Sequence, residues 1–139
     1  MTKKKIIAVF SILIMIAAII AVCIALSFSN KQRLQTTIQN FGIHETDDVT
    51  ICNYDDNSGL WHDQTINLST QKDFDLFINE NIMAPVTVTD EEDTNLRSDP
   101  QAIRHVISFE YINGSQTIYG KFTANSNSEM NYISLSIYG

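Results

Sequence analysis

Residues 6–26 read IIAVFSILIMIAAIIAVCIAL, an unbroken apolar run in which Ser11 is the only polar side chain. At about 1.5 Å of helical rise per residue these twenty-one positions reach roughly 30 Å, the thickness of a bilayer's hydrocarbon core. No water is available there, so the backbone must satisfy its own hydrogen bonds, which a helix does within one segment. The run therefore predicts a membrane helix, and everything else in the chain has to fold beside it.

The flanks give an orientation. Lys3, Lys4 and Lys5 precede the run, whereas the segment after it, 27–40, carries only Lys31 and Arg33. Positive charge is retained on the cytoplasmic side, so the expectation is a cytoplasmic N-terminus and an extracytoplasmic remainder. Two rival readings start from the same residues. A cleaved signal peptide has a similar start, and Ala25-Leu26-Ser27 has small residues at cleavage-like spacing, but its apolar core is typically roughly 7–15 residues. Lipid attachment at Cys23 would need a small residue where Val22 stands. The retained single-pass anchor is the preferred reading, with 1–5 cytoplasmic, 6–28 spanning, 29–46 a stalk helix or linker, and 47–139 an extracytoplasmic domain.

Beyond residue 29 the chain has 110 residues, enough for one small domain. It holds all sixteen acidic residues against six basic ones, a formal charge of −10. Such a surface is repelled by nucleic-acid phosphates, which removes nucleic acid from the expected partners; solubility alone accounts for most charge balances of this kind. Of the two cysteines, Cys23 lies in the apolar run and Cys52 in the domain, an implausible pair for a disulfide. Asn67-Leu-Ser69 and Asn113-Gly-Ser115 match the glycosylation pattern, which matters only in a eukaryotic secretory host.

Periodicity predicts an α+β fold: an N-terminal transmembrane helix, then a small antiparallel sheet with one helix packed across it. Leu34, Ile38 and Phe41 share one helical face, and Gly42 is a helix stop. Val49–Tyr54 and Leu60–Leu68 read as a hairpin around Asp55–Gly59. Thr70 with Asp73 fits a capping box for a helix carrying Phe74, Phe77 and Ile78. Val86 and Val88 suggest a short edge strand, and 89–101, with Asp90-Glu91-Glu92-Asp93, a mobile loop. Asn113-Gly114 is a two-residue hairpin turn, aligning Tyr111 with Gln116, Phe109 with Ile118, Ile107 with Gly120 and His105 with Phe122. Ile133, Leu135 and Ile137 mark one face of a last strand.

Three of these segments carry a likeness: Val49–Tyr54, the Ser69-Thr70-Gln71-Lys72-Asp73-Phe74 helix start, and Ser108-Phe109-Glu110-Tyr111-Ile112-Asn113-Gly114. With the anchor before them, they resemble small N-terminally anchored extracytoplasmic α+β domains of Gram-positive bacteria, most of them uncharacterised. The resemblance covers most of 47–138, implies a fold and a location, and transfers no site residues.

Chemistry-bearing residues are sparse. With a five-residue hairpin loop Cys52 faces His62, and an imidazole beside a thiol lowers its pKa; with a four-residue loop Trp61 stands there instead. No orienting third group or oxyanion hole accompanies the pair. His44, His62 and His105 show no metal-ligand spacing, and His105 is expected as a packed, hydrogen-bonded residue. Hard oxygen ligands for calcium occur at Asp55, Asp56 and Asn57 and in the Asp90–Asp93 run. However, Asn53-x-Asp55-x-Asn57 puts Gly59 one place late for an EF-hand and leaves Gln64 at the bidentate-glutamate position. Phosphate loops, nucleophile elbows and zinc-protease motifs are absent. Trp61, Tyr119, Tyr132 and Tyr138 could present a partner surface.

These patterns assign no catalytic, cofactor-binding or metal residue and no cofactor. The expectation is a non-enzymatic, membrane-anchored extracytoplasmic binding or interaction domain, its partners the bilayer through Ile6–Leu26 and an unidentified membrane or envelope protein. The alternatives are a surface thiol hydrolase using Cys52 and His62, and an envelope or cation sensor using the acidic loop.

Overall fold

The computed structural model describes residues 3–56 and 63–138. It is α+β: helix α1 (Lys3–Asn40), strands β1 (Val49–Asp56) and β2 (Gln64–Thr70), helix α2 (Phe74–Asn81), then β3 (Val86–Asn95), β4 (Ile103–Asn113), β5 (Gln116–Asn125) and β6 (Asn131–Ile137). The chain divides into two compact units, Met1–Thr36 and Thr37–Gly139. The first contains most of α1. Its segment from Ser11 onward is long and apolar enough to cross a membrane, with a mean hydropathy of 2.9 in its most apolar window. From Ser11 to Phe28 every side chain is exposed. An uninterrupted apolar circumference of this kind suits lipid rather than water.

The second unit begins inside the last turn of α1. Gly42 adopts a positive φ of 65°, its N–H donates to the Gln39 carbonyl, and the Ile43 N–H donates to the Ile38 carbonyl, both at 3.0 Å. This is the Schellman arrangement, and its usual apolar contact between the flanking residues falls to Ile38 and Ile43, both buried. Carbonyls at and just past the helix end also accept from side chains of the sheet. Asn113 Nδ2 donates to the Gln39 and Asn40 oxygens at 3.1 and 2.9 Å, and the Tyr111 hydroxyl donates to the Phe41 oxygen at 2.5 Å. Ile38, Phe41 and Ile43 thus belong to the core, although they fall in the segment expected as stalk.

The sheet has six antiparallel strands in the order β1-β2-β6-β5-β4-β3. The last strand inserts between β2 and β5 and closes the two halves into one sheet. Strand alternation sends Ile66, Leu68, Ile107, Phe109, Tyr111, Ile118, Phe122, Ile133, Leu135 and Ile137 to one face, all of them buried. Phe41, just past the end of α1, and Phe77 of α2 are fully buried beside that layer.

Four expectations are corrected. The β4–β5 hairpin pairs Asn113 with Gln116, Tyr111 with Ile118, Phe109 with Gly120 and His105 with Ala124, a two-residue shift from the expected register. The turn is Gly114-Ser115 because Asn113 stays in the strand, where its side chain holds the end of α1. A two-residue shift leaves every side chain on its expected face. It also brings the Phe109 ring over Gly120, where a Cβ would strike the ring directly. The β1–β2 hairpin pairs Tyr54 with Ile66 and Asp56 with Gln64, so β1 runs longer, and β2 starts later, than expected. The expected strand start Leu60 and the loop residues Asn57, Ser58 and Gly59 lie outside the described residues. Helix α2 is capped by Asp73, whose carboxylate accepts from the Leu76 N–H at 2.9 Å. Thr70 instead ends β2, fully buried. Finally, the acidic run is strand rather than loop: β3 continues to Asn95, pairing Asp90 with Ser108 and Asp93 with His105.

One polar cluster lies inside. Lys72 Nζ pairs with Glu80 at 2.8 Å and donates to Thr46 Oγ1 and Asn81 Oδ1 at 2.7 and 3.1 Å. Asn81 Nδ2 donates in turn to the His44 oxygen at 2.7 Å. All three ammonium protons are satisfied, as burial demands, and the cluster fastens α2 to the segment joining α1 and β1.

Candidate functional site

Among the described residues of the second unit, two surfaces of the sheet have no helix laid across them. The first is the face opposite the core. Alternation puts Ser134, Ser136, Tyr132, Tyr119 and Lys121 there, with Thr65 and Asn67 from β2 and Ser108 and Glu110 from β4. Tyr119, Tyr132 and Tyr138 are exposed. The Tyr119 and Tyr138 rings lie 5.6 Å apart, tilted by 49°. Beside them a hollow of about 270 Å³ is floored by backbone at Gly120 and ringed by Ser108, Lys121, Ser134 and Ser136. A second hollow, about 460 Å³, lies between Thr87, Glu110, Ile112 and Tyr119. Tyr119 borders both. The face combines rigid amphipathic rings with short hydroxyl side chains, a composition that gives contact area and adaptable hydrogen bonding at low entropic cost.

The second surface lies on the core side, at the start of α2. A cleft of about 500 Å³ opens between the start of α2 and strands β3 and β4. Its floor is Phe74, Val88, Ile107 and Phe122, and its rim carries Asp73, Asp75, Glu91 and His105. Phe74 is fixed by ring contacts to Phe109 at 5.3 Å and Phe122 at 5.6 Å. His105 Nδ1 meets Asp93 Oδ1 at 2.5 Å, and both side chains are partly solvated.

The residues singled out in sequence scatter across this framework. Cys52 is exposed at a bulge between the Ile51–Leu68 and Asn53–Asn67 pairs. Its thiol points to the Thr50 carbonyl at 3.9 Å. The positions opposite it are Asn67 and Leu68, while His62 and Trp61 lie outside the described residues. His44 is exposed. His105 pairs across the sheet with Ala124 rather than Phe122, and is half-buried and hydrogen-bonded to Asp93, in keeping with the hydrogen-bonded histidine expected there. Asp55 and Asp56 extend β1, with Asn57 outside the described residues, and the Tyr54 hydroxyl donates to Asp56 at 3.1 Å. The Asp90–Asp93 carboxylates alternate between the two faces of β3. Among the described residues no group of three or more His, Cys, Asp or Glu side chains is arranged to hold a metal ion.

The tyrosine face was legible in the sequence as alternation; the cleft was not, because its rim comes from α2, β3 and β4 together. No family model, no curated protein and no solved structure matches the chain.

Proposed function

We propose that the protein is a non-enzymatic single-pass membrane protein, N-terminus cytoplasmic, whose extracytoplasmic domain binds another membrane or envelope protein. In this reading it is one of the small anchored α+β domains of Gram-positive surfaces that its sequence resembles. The observation that carries the proposal is the sheet face opposite the core, with Tyr119, Tyr132 and Tyr138 exposed among serines and threonines. Tyrosine is enriched in protein interfaces, and a broad strand surface offers another folded protein a large contact area, with the two hollows beside Tyr119 as seats for its side chains. The three lysines before the apolar run favour the orientation. The membrane helix confines the domain near other membrane proteins, so a modest interface suffices at the resulting local concentration.

Crosslinking pull-down of the intact protein from native membranes tests this, run beside the double variant Tyr119→Ala/Tyr138→Ala. The expected result is a discrete protein partner recovered with wild type and lost with the variant. Recovery of no partner, or of the same partners by both, would overturn the reading.

A further inference from the structure

We propose that the outer edge of β3, together with the cleft beside it, takes a basic extended peptide segment as an additional strand. This site is separate from the tyrosine face and stands or falls without it. The inference comes from three features that coincide along one strand.

Strand β3 is ten residues long, ends the sheet, and pairs only with β4 among the described residues. Every other backbone N–H and C=O on its outer side is therefore directed away from the sheet, a template for strand addition. Such an edge would ordinarily invite copies of itself. Asp90, Glu91, Glu92 and Asp93 prevent that by like-charge repulsion and leave a strand of opposite charge as the compatible partner.

The cleft selects what the added strand would carry. Residues alternate across β3, so Glu91 lies on the cleft side with Ile107, and Glu92 on the open side with Val106. On the open side Arg104, paired with Thr94, offsets part of the charge. On the cleft side no lysine or arginine lines the wall; Asp73, Asp75 and Glu91 face only His105, which Asp93 already engages. A lysine or arginine side chain entering there lays its methylenes on Phe74, Val88 and Ile107 and delivers its charge to Asp75 and Glu91. This is the way long cationic side chains divide themselves between apolar and polar surroundings. A half-exposed phenylalanine ring on the floor adds cation–π attraction. The occupant is thus an extended segment with basic residues at alternate positions, matching the two-residue period of a strand.

The test uses the full chain in phosphatidylcholine nanodiscs, which carry no net lipid charge, and a fluorescent nonapeptide alternating threonine and lysine. Anisotropy should report saturable binding that weakens with salt. The same peptide N-methylated at alternate residues, which cannot complete the strand ladder, should bind at least about tenfold more weakly. A glutamate-for-lysine peptide should not bind. Glu91→Lys should weaken the lysine peptide about tenfold, since reversal replaces attraction by repulsion. Asp75→Asn, at an exposed helix position, should weaken it several-fold and serves if Glu91→Lys melts abnormally. No binding by wild type at millimolar peptide overturns the proposal. So does binding that is indifferent to N-methylation, or to both substitutions.

Discussion

Tyr111 shows how one side chain can serve two elements. Its ring lies in the core face of β4, stacked 6.4 Å from Phe109, and its hydroxyl holds the Phe41 carbonyl just past the end of α1. Burial pushes the phenol's pKa up, because the ionised form would lose its water. The folded state therefore holds the neutral phenol at pH values where an unfolded tyrosine, with a pKa near 10, has ionised. A raised folded pKa contributes stability that is fully present below about pH 10 and is lost as pH rises beyond it. Tyr111→Phe should cost about 1–2 kcal/mol at neutral pH by leaving the Phe41 carbonyl without this donor. It should also remove that alkaline loss, so the urea-unfolding curves of variant and wild type converge above pH 10. Parallel pH profiles would show that the phenol is not coupled to folding. Residues of this kind are half-legible: strand alternation assigns Tyr111 to the core, but its partner lies seventy positions away in sequence. Lys72 is less legible still. A lysine in a polar stretch reads as surface, and only the folded convergence of Thr46, Glu80 and Asn81 explains its burial.

At the scale of elements, local chemistry was readable and long-range pairing was not. Gly42 as a helix stop, the Phe74–Phe77–Ile78 stripe and the alternation of β6 follow from a few neighbouring residues. The acidic run misleads because aspartate and glutamate are poor strand formers on average, whereas an edge strand tolerates them in water and gains protection from them. The turn expected at Asn113-Gly114 lies one residue too early, which shifts the pairing by two, because the asparagine side chain has a better use at the end of α1. That use can be isolated by comparing two glycines. Gly42 and Gly114 have nearly the same positive φ, 65° and 63°, but an added Cβ at Gly42 meets Asn113 Cγ at 3.0 Å, and one at Gly114 meets nothing within 4 Å. Backbone strain of about 1–2 kcal/mol applies to alanine at either position. Gly42→Ala must additionally displace Asn113 from the helix carbonyls and should cost roughly 1 kcal/mol more. For a domain of about one hundred residues that excess corresponds to a further fall in Tm of about 4–8 °C. Equal melting temperatures for Gly42→Ala and Gly114→Ala would show that the cap contributes nothing.

For the whole molecule, the apolar run in the sequence marks a helix long and apolar enough to cross a membrane, and the fold starts the compact domain before that helix ends. The compact unit starts at Thr37, within the helix that the apolar run initiates. Ile38, Phe41 and Ile43 are each less than one-tenth exposed, and full burial of such side chains is worth roughly 1.5–3 kcal/mol apiece. Together they contribute an amount comparable to the entire net stability of a small domain, about 5–15 kcal/mol. Their removal would also strip Tyr111 and Asn113 of their acceptors and open the Lys72 cluster at Thr46. A fragment beginning at residue 47 should therefore lack a cooperative thermal transition and give poorly dispersed amide resonances. One beginning at residue 37 should melt cooperatively. If the shorter fragment folds as well as the longer, the last turn of α1 is only attached to the core. If it does not, the domain cannot be separated from the apolar helix by a cut beyond residue 43 without unfolding, and the same residues that finish the helix also hold the sheet that presents the tyrosine face and the β3 edge.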